Sequence, residues 1–324
     1  MEKGAKAGVI ALVETSEGDN STSHARHGWS RQLLSWPVRF VALASIWGLS
    51  FLFIKVSVEV LAPLQVAFAR AACGAAVLLM VLPLRKVRLP RGRKVWTHMA
   101  VAALLMNAGP FALFSYGEQH VSSALAGIWN ATAPLVALPV ALILIPQEKA
   151  TRQRLVGLGV GFAGVLVVLG VWTGLGAQGL EGNLLCMGAA ICYGVGFPYA
   201  RRYLGDRPEG PLALTTGQLL CATVELGAVT PFFGSAPSSM PWKVVGSILA
   251  IGILGTGLAY ILNYSIIQDV GAVTASTVTY LIPIFSTLAG VLILGEDLSW
   301  NEPVGALIII LGAALTQRKF TRKQ

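Results

Sequence analysis

The chain has 324 residues, of which 55% are hydrophobic and only 12% charged, with a mean hydropathy of +0.68. That balance lies far from the average soluble domain and excludes an ordinary water-soluble one, because apolar surface on this scale needs hydrocarbon as its solvent. The net charge of +9 is set by loop lysines and arginines and gives no reason to invoke nucleic acid.

In chain order, the first 35 residues read as a cytoplasmic, disordered tail, rich in Ser, Thr, Gly, Asn and charge. Their one apolar run, GVIALV at Gly8–Val13, is too short for a signal-peptide core. Beyond the tail, apolar runs of about 20 residues, the length that crosses a bilayer core, predict ten transmembrane helices. They are Val38–Val56, Pro63–Leu84, Val95–Gly117, Val121–Ile145, Gln153–Trp172, Asn183–Tyr203, Leu212–Phe233, Trp242–Ile266, Gly271–Leu294 and Pro303–Thr316. Residues 320–324 form a basic C-terminus.

All of the basic residues except Lys55, Arg70 and Lys243 fall in the tail, at the start of the first span (Arg39), at the C-terminus, or in and beside the links after the second, fourth and sixth spans. Basic loops face the cytoplasm, so both termini are expected there. Cys73, Cys186, Cys192 and Cys221 all lie within spans at no metal-ligand spacing and read as unpaired packing residues. Neither a Walker-type glycine loop nor a paired-histidine motif is present, so no enzyme, metal or cofactor is expected.

The chain repeats itself. Trp47, Gly48, Phe51 and Lys55 align with Tyr193, Gly194, Phe197 and Arg201 at an offset of 146; Pro63, Leu64 and Cys73 align with Pro211, Leu212 and Cys221 at 148. Gln119, Val121, Ala126 and Pro134 match Gln268, Val270, Ala275 and Pro283 at 149, and Gly157 and Gly164 match Gly305 and Gly312 at 148. With Trp96 matching Trp242 at 146, five collinear blocks argue a duplication into residues 36–174 and 175–319. Each copy holds an odd number of spans, so the second enters the membrane from the opposite side. The predicted fold is an all-α integral membrane bundle of two inverted five-helix repeats.

The motifs IWGLSFLFIK (Ile46–Lys55), FARAACGAAVLL around Arg70, SSALAGIWNATAPL leading to Glu148, and AVTASTVTYLIPIF leading to Gly295-Glu296 resemble those of the drug/metabolite transporter superfamily, EamA type, over Val38–Lys319. The first copy departs from the Gly-Glu pattern with Gln147-Glu148. The resemblance implies a carrier for small amphipathic or polar metabolites, often an exporter of amino acids or related compounds.

For the site, the residues themselves single out spans four and nine. Pro134 and Pro283 remove an amide hydrogen and clash with the preceding turn, freeing the carbonyls of Asn130 and Thr279 at repeat-related positions. Trp129 and Tyr280 offer an aromatic wall, and Trp47, Tyr193, Asn107, Tyr260 and Asn263 are further candidates for substrate binding. Pro134, Pro283 and Lys55 read as gate or hinge residues, Lys55 snorkelling beside Glu59 or attracting an anionic substrate group at the outer mouth. Arg70 and Glu225 are ionisable groups inside spans, each a proton or substrate site, and they are placed to pair. The expected activity is alternating access in which the two halves rock, moving a small molecule through the cytoplasmic membrane, as monomer or homodimer. A lipid flippase and a non-transporting receptor are the alternatives.

Overall fold

The structure, a computed structural model, describes residues 35–317 except 147, 174–178, 206, 234–236 and 238. The expected tail up to residue 34, Gln147, the junction of the two copies and the basic C-terminus lie outside the described residues.

Among the described residues ten long helical segments follow one another: α1 (Trp36–Ser57), α2 (Pro63–Leu84), α3 (Arg93–Gly117), α4 (Ser123–Leu144), α5 (Arg152–Val168), α6 (Leu180–Leu204), α7 (Gly210–Phe233), α8 (Trp242–Gly271), α9 (Thr277–Leu294) and α10 (Asn301–Gln317). Eight of them are long and apolar enough to cross a membrane; α5 and α10 are shorter, at 17 residues each. Among the described residues there is no strand. Large apolar side chains such as Leu292 and Phe232 are 76% and 81% exposed, a surface that suits lipid and not water.

The helices do not pack as two sequence halves. α1 lies on α8 and α9, and α2 on α8; their repeat equivalents follow suit, α6 on α3 and α4 and α7 on α3. Two bundles result, one of α1, α2, α8 and α9, the other of α3, α4, α6 and α7, meeting along α2–α7 and α4–α9. The packed bodies therefore differ from the sequence halves: each bundle draws helices from both copies, because apolar faces of one copy are buried on the other.

Glycine contacts display the symmetry. Gly48 abuts the Cβ of Phe285, and its repeat partner Gly194 abuts the Cβ of Val136, with no room for a methyl group at either. Between α5 and α10 the contacts run crosswise. A Cβ on Gly157 would meet the Gly312 carbonyl at 2.7 Å, and one on Gly164 would meet the Gly305 carbonyl at 3.0 Å. Because Gly157 is the partner of Gly305 and Gly164 of Gly312, the two helices are antiparallel about a two-fold axis perpendicular to both. Such an axis lies in the plane of the membrane, which is the geometry of inverted repeats. Asn301 extends this seam by donating its amide to the Val168 carbonyl at the end of α5, 2.9 Å away, and Trp172 stacks on Trp300.

Candidate functional site

α4 is broken near its middle and α9 within its first turns. α4 is helical to Asn130, turns through Ala131 and Thr132, and resumes at Ala133 with Pro134 in its second position. α9 narrows to a tight turn over Thr277–Tyr280 and resumes at Ile282 with Pro283 likewise second. Proline tolerates that position because the first amides of a helix have no partner within it. The Thr132 hydroxyl donates to the Trp129 carbonyl at 2.7 Å and stabilises the first break.

A second irregularity is also repeated. α3 opens into a wide turn over Leu104–Ala108, just before Pro110, and α8 into one over Ala250–Leu258, where Gly252, Gly255 and Gly257 replace the proline. Widened turns of this kind often occur at functional sites.

Between the two bundles, at the level of the breaks, lies a cavity of about 200 Å³. Each of the eight long helices contributes to its wall, and α5 and α10 do not. Of the candidates from sequence, Trp47, Arg70, Asn130, Pro134, Tyr193, Tyr260, Asn263 and Thr279 line it. Several of these wall residues are repeat partners: Trp47 with Tyr193, Asn130 with Thr279. Ser50, Phe51, Met106, Phe114, Ala133, Phe197, Thr215, Gln218 and Ile282 also line it and were not among the candidates. For Phe51 and Phe197 a signal existed, since each stands four residues after Trp47 or Tyr193 and so shares its helix face.

The remaining candidates lie elsewhere. Trp129 and Tyr280 neighbour cavity residues, but adjacent helical positions diverge by about 100°. Trp129 is accordingly buried and donates its indole N–H to Asn183 at 2.7 Å. The Tyr280 hydroxyl is buried with no hydrogen-bond partner among the described residues. Asn107 sits behind the wall and donates to the Tyr260 hydroxyl at 2.7 Å, orienting it. Pro283 is buried in α9 off the cavity. Glu225 is not paired with Arg70, contrary to expectation; one carboxyl oxygen is buried without a partner among the described residues, and Arg70 instead donates to Thr256.

Lys55 also departs from its expected pairing. It donates to the carbonyls of Glu118 and Val121 at 2.6 and 2.7 Å, whereas Glu59 is taken by Lys243 at 2.6 Å. The Glu118 carbonyl lies just past the end of α3 and the Val121 carbonyl in the link before α4, and the ammonium is held there by two hydrogen bonds from a charged donor. At the same end Gly295 adopts φ +67°, a conformation open to glycine, and this turn returns Glu296 to the start of α4. Its carboxylate accepts from the Ser123 and Ala124 amides at 2.7 and 3.1 Å and from the Ser123 hydroxyl at 2.9 Å. The Gly-Glu motif of the second copy thus caps a helix of the first.

The opposite end holds the repeat partners differently. Glu148 bridges Arg154 at 2.6 Å and Arg201 at 2.8 Å, and the hydrogen bond from Arg154 leads in holding its carboxyl below the usual carboxylate range, against partial burial and with Arg201 adding to it. Arg39 pairs with Asp269, tying the start of α1 to α8. Each ion pair joins groups at one end of the bundle, in agreement with the alternating path of the helices. The four cysteines are free thiols.

Among the described residues the chain is all-helical, and eight helices long and apolar enough to cross a membrane surround a cavity of mixed polar and apolar lining, as in a polytopic membrane protein of the carrier kind. The chain belongs to the EamA-like transporter family, whose model matches residues 35–170 and again 180–318, once per copy. It is an integral membrane transporter. The uncharacterized transporter YoaV of Bacillus subtilis is 24% identical over 88% of this chain and 97% of its own length. The uncharacterized inner membrane transporter YedA of Escherichia coli K12 is 28% identical over 88% and 91%. A solved crystal structure at 21% identity superposes with a TM-score of 0.62, covering 86% of this chain and 95% of its own, a likeness of fold alone.

Proposed function

We propose that the protein is a secondary carrier that moves a small amphipathic or polar metabolite, such as an amino acid or related compound, out across the cytoplasmic membrane by alternating access. The observation that carries this reading is the cavity between two symmetry-related bundles at the level of two broken helices. Interrupted helices at equivalent positions of inverted repeats supply polar backbone to a midplane site, and rigid-body motion about that site exposes it to each side in turn. In this reading α1, α2, α8 and α9 move against α3, α4, α6 and α7, with the α5–α10 pair outside the path. Both termini are cytoplasmic, so the Glu148–Arg201 end faces the cytoplasm and the Lys55 end faces outward.

The test is the time course of extracellular metabolites from cells overproducing the parent chain, Asn130→Ala or Thr279→Val at equal membrane level. A compound that accumulates outside with the parent and at least several-fold less with either variant supports the carrier. Equal accumulation with all three, or none attributable to the parent, contradicts it.

A further inference from the structure

The cavity is polar on several sides but charged on only one. Among the described residues its wall contains Arg70 and no aspartate, glutamate or lysine. Arg70 is 9% exposed, and its Nε donates to the Thr256 hydroxyl at 3.1 Å while that hydroxyl donates to the Ile251 carbonyl at 2.9 Å, so the guanidinium is held in place. It lies 4.0 Å from the centre of the Phe111 ring. Its two terminal nitrogens have no hydrogen-bond partner and no carboxylate partner among the described residues.

A guanidinium does not shed its proton in a protein, so a buried one needs compensation. The ring face supplies part of it. The remaining side opens on the cavity.

Symmetry sharpens the point. The offset of 148 that relates Pro63 to Pro211 relates Arg70 to Gln218, which also lines the cavity. Other repeat-related wall pairs match in kind: Trp47 with Tyr193, Phe51 with Phe197, Asn130 with Thr279. Only the Arg70/Gln218 pair differs in charge. The two-fold wall therefore has a single positive pole.

Resting on the carrier reading of this cavity, we infer that the substrate is a small amphipathic acid whose anionic group is bound by Arg70 while its apolar body lies against Trp47, Phe51 and Tyr193. The planar fork of the guanidinium presents paired N–H donors that match a carboxylate. A bare organic cation meets like charge at Arg70 and finds no carboxylate among the described residues of the wall.

The experiment uses the full chain purified in mild detergent and follows its thermal unfolding, since a ligand that binds only the folded state raises the transition. The probes are two series matched in body: leucine, 4-methylpentanoate, leucinamide and isoamylamine; and phenylalanine, 3-phenylpropionate, phenylalaninamide and 2-phenylethylamine. In at least one series the compounds with a free acid group stabilise the parent, and the matched amide and amine do not. Arg70→Gln weakens the acids by about tenfold or more, as loss of a charge-assisted pair requires. The double variant Arg70→Gln/Gln218→Arg, which returns the cation to the mirror position, regains binding.

Amide or amine binding equal to that of the acids, or acid binding unchanged in a folded Arg70→Gln, overturns the inference. If the same ligand is still weakened by Asn130→Ala or Thr279→Val, the cavity stands and only the acid class falls; if those variants too have no effect, the cavity reading falls with it. Absence of any stabilisation of the parent by the acids also overturns the inference.

Discussion

Gly312→Leu is expected to abolish most of the folded, monodisperse protein recovered in mild detergent. A Cβ there would lie 2.5 Å from the Gly161 Cα and 2.7 Å from the Gly157 carbonyl oxygen, all of it backbone. Side chains can rotate away from an intruding group, but a helix backbone can only separate. The cost therefore exceeds the roughly 1–3 kcal/mol of ordinary overpacking. Membrane helices associate through such close approach of small residues, and the α5–α10 seam is the most extensive helix pair in the fold. The matched control is Gly159→Leu. Nothing lies within 4 Å of a Cβ at Gly159, so that variant is expected to elute like the parent at equal expression. Equal recovery of Gly312→Leu would show that the seam is dispensable.

The second large effect belongs to Lys55. Lys55→Met removes both hydrogen bonds to the carbonyls of Glu118 and Val121 in the link between α3 and α4. It also removes the cation nearest a Glu118 carboxyl group that is fully buried, with neither oxygen hydrogen-bonded among the described residues. Bonds from a charged donor contribute about 1.5–3 kcal/mol each, so a loss on the order of 3 kcal/mol is expected in unfolding experiments. Lys243→Met is the comparison at the same end of the bundle. Its partner Glu59 and Lys243 itself are 49% and 61% exposed, and such pairs count for little. A Lys55→Met that unfolds with the parent would contradict this account of the outer end.

The architecture was legible because hydrocarbon imposes a simple pattern. Ten apolar runs and an offset of 146–149 marked the helices and their duplication. An odd number per copy required inversion, and the crosswise Gly157–Gly312 and Gly164–Gly305 contacts have the symmetry that inversion demands. The helix breaks were legible too, through Pro134 and Pro283. What sequence did not convey is which face of each apolar helix turns inward. Amphipathic contrast is weak where both lipid and protein interior are apolar, so Trp129 and Asn130 were indistinguishable as wall residues until their directions were known. Packing across the copies was hidden for a related reason. The repeat alignment relates α1 to α6 but says nothing of whether α1 rests on its own copy or the other. The ends were misread through proximity in sequence: Lys55 and Glu59 are four residues apart, yet a fixed pair of carbonyls in the α3–α4 link competes successfully for the ammonium.

The central claim is that the cavity between the bundles opens to both sides of the membrane. The most direct measurement places a single cysteine at Thr279, with Cys73, Cys186, Cys192 and Cys221 replaced, and reacts it with a membrane-impermeant maleimide in sealed vesicles of each orientation. Alternating access predicts modification from both faces. Modification from neither face, or from the same single face under every condition, would contradict it.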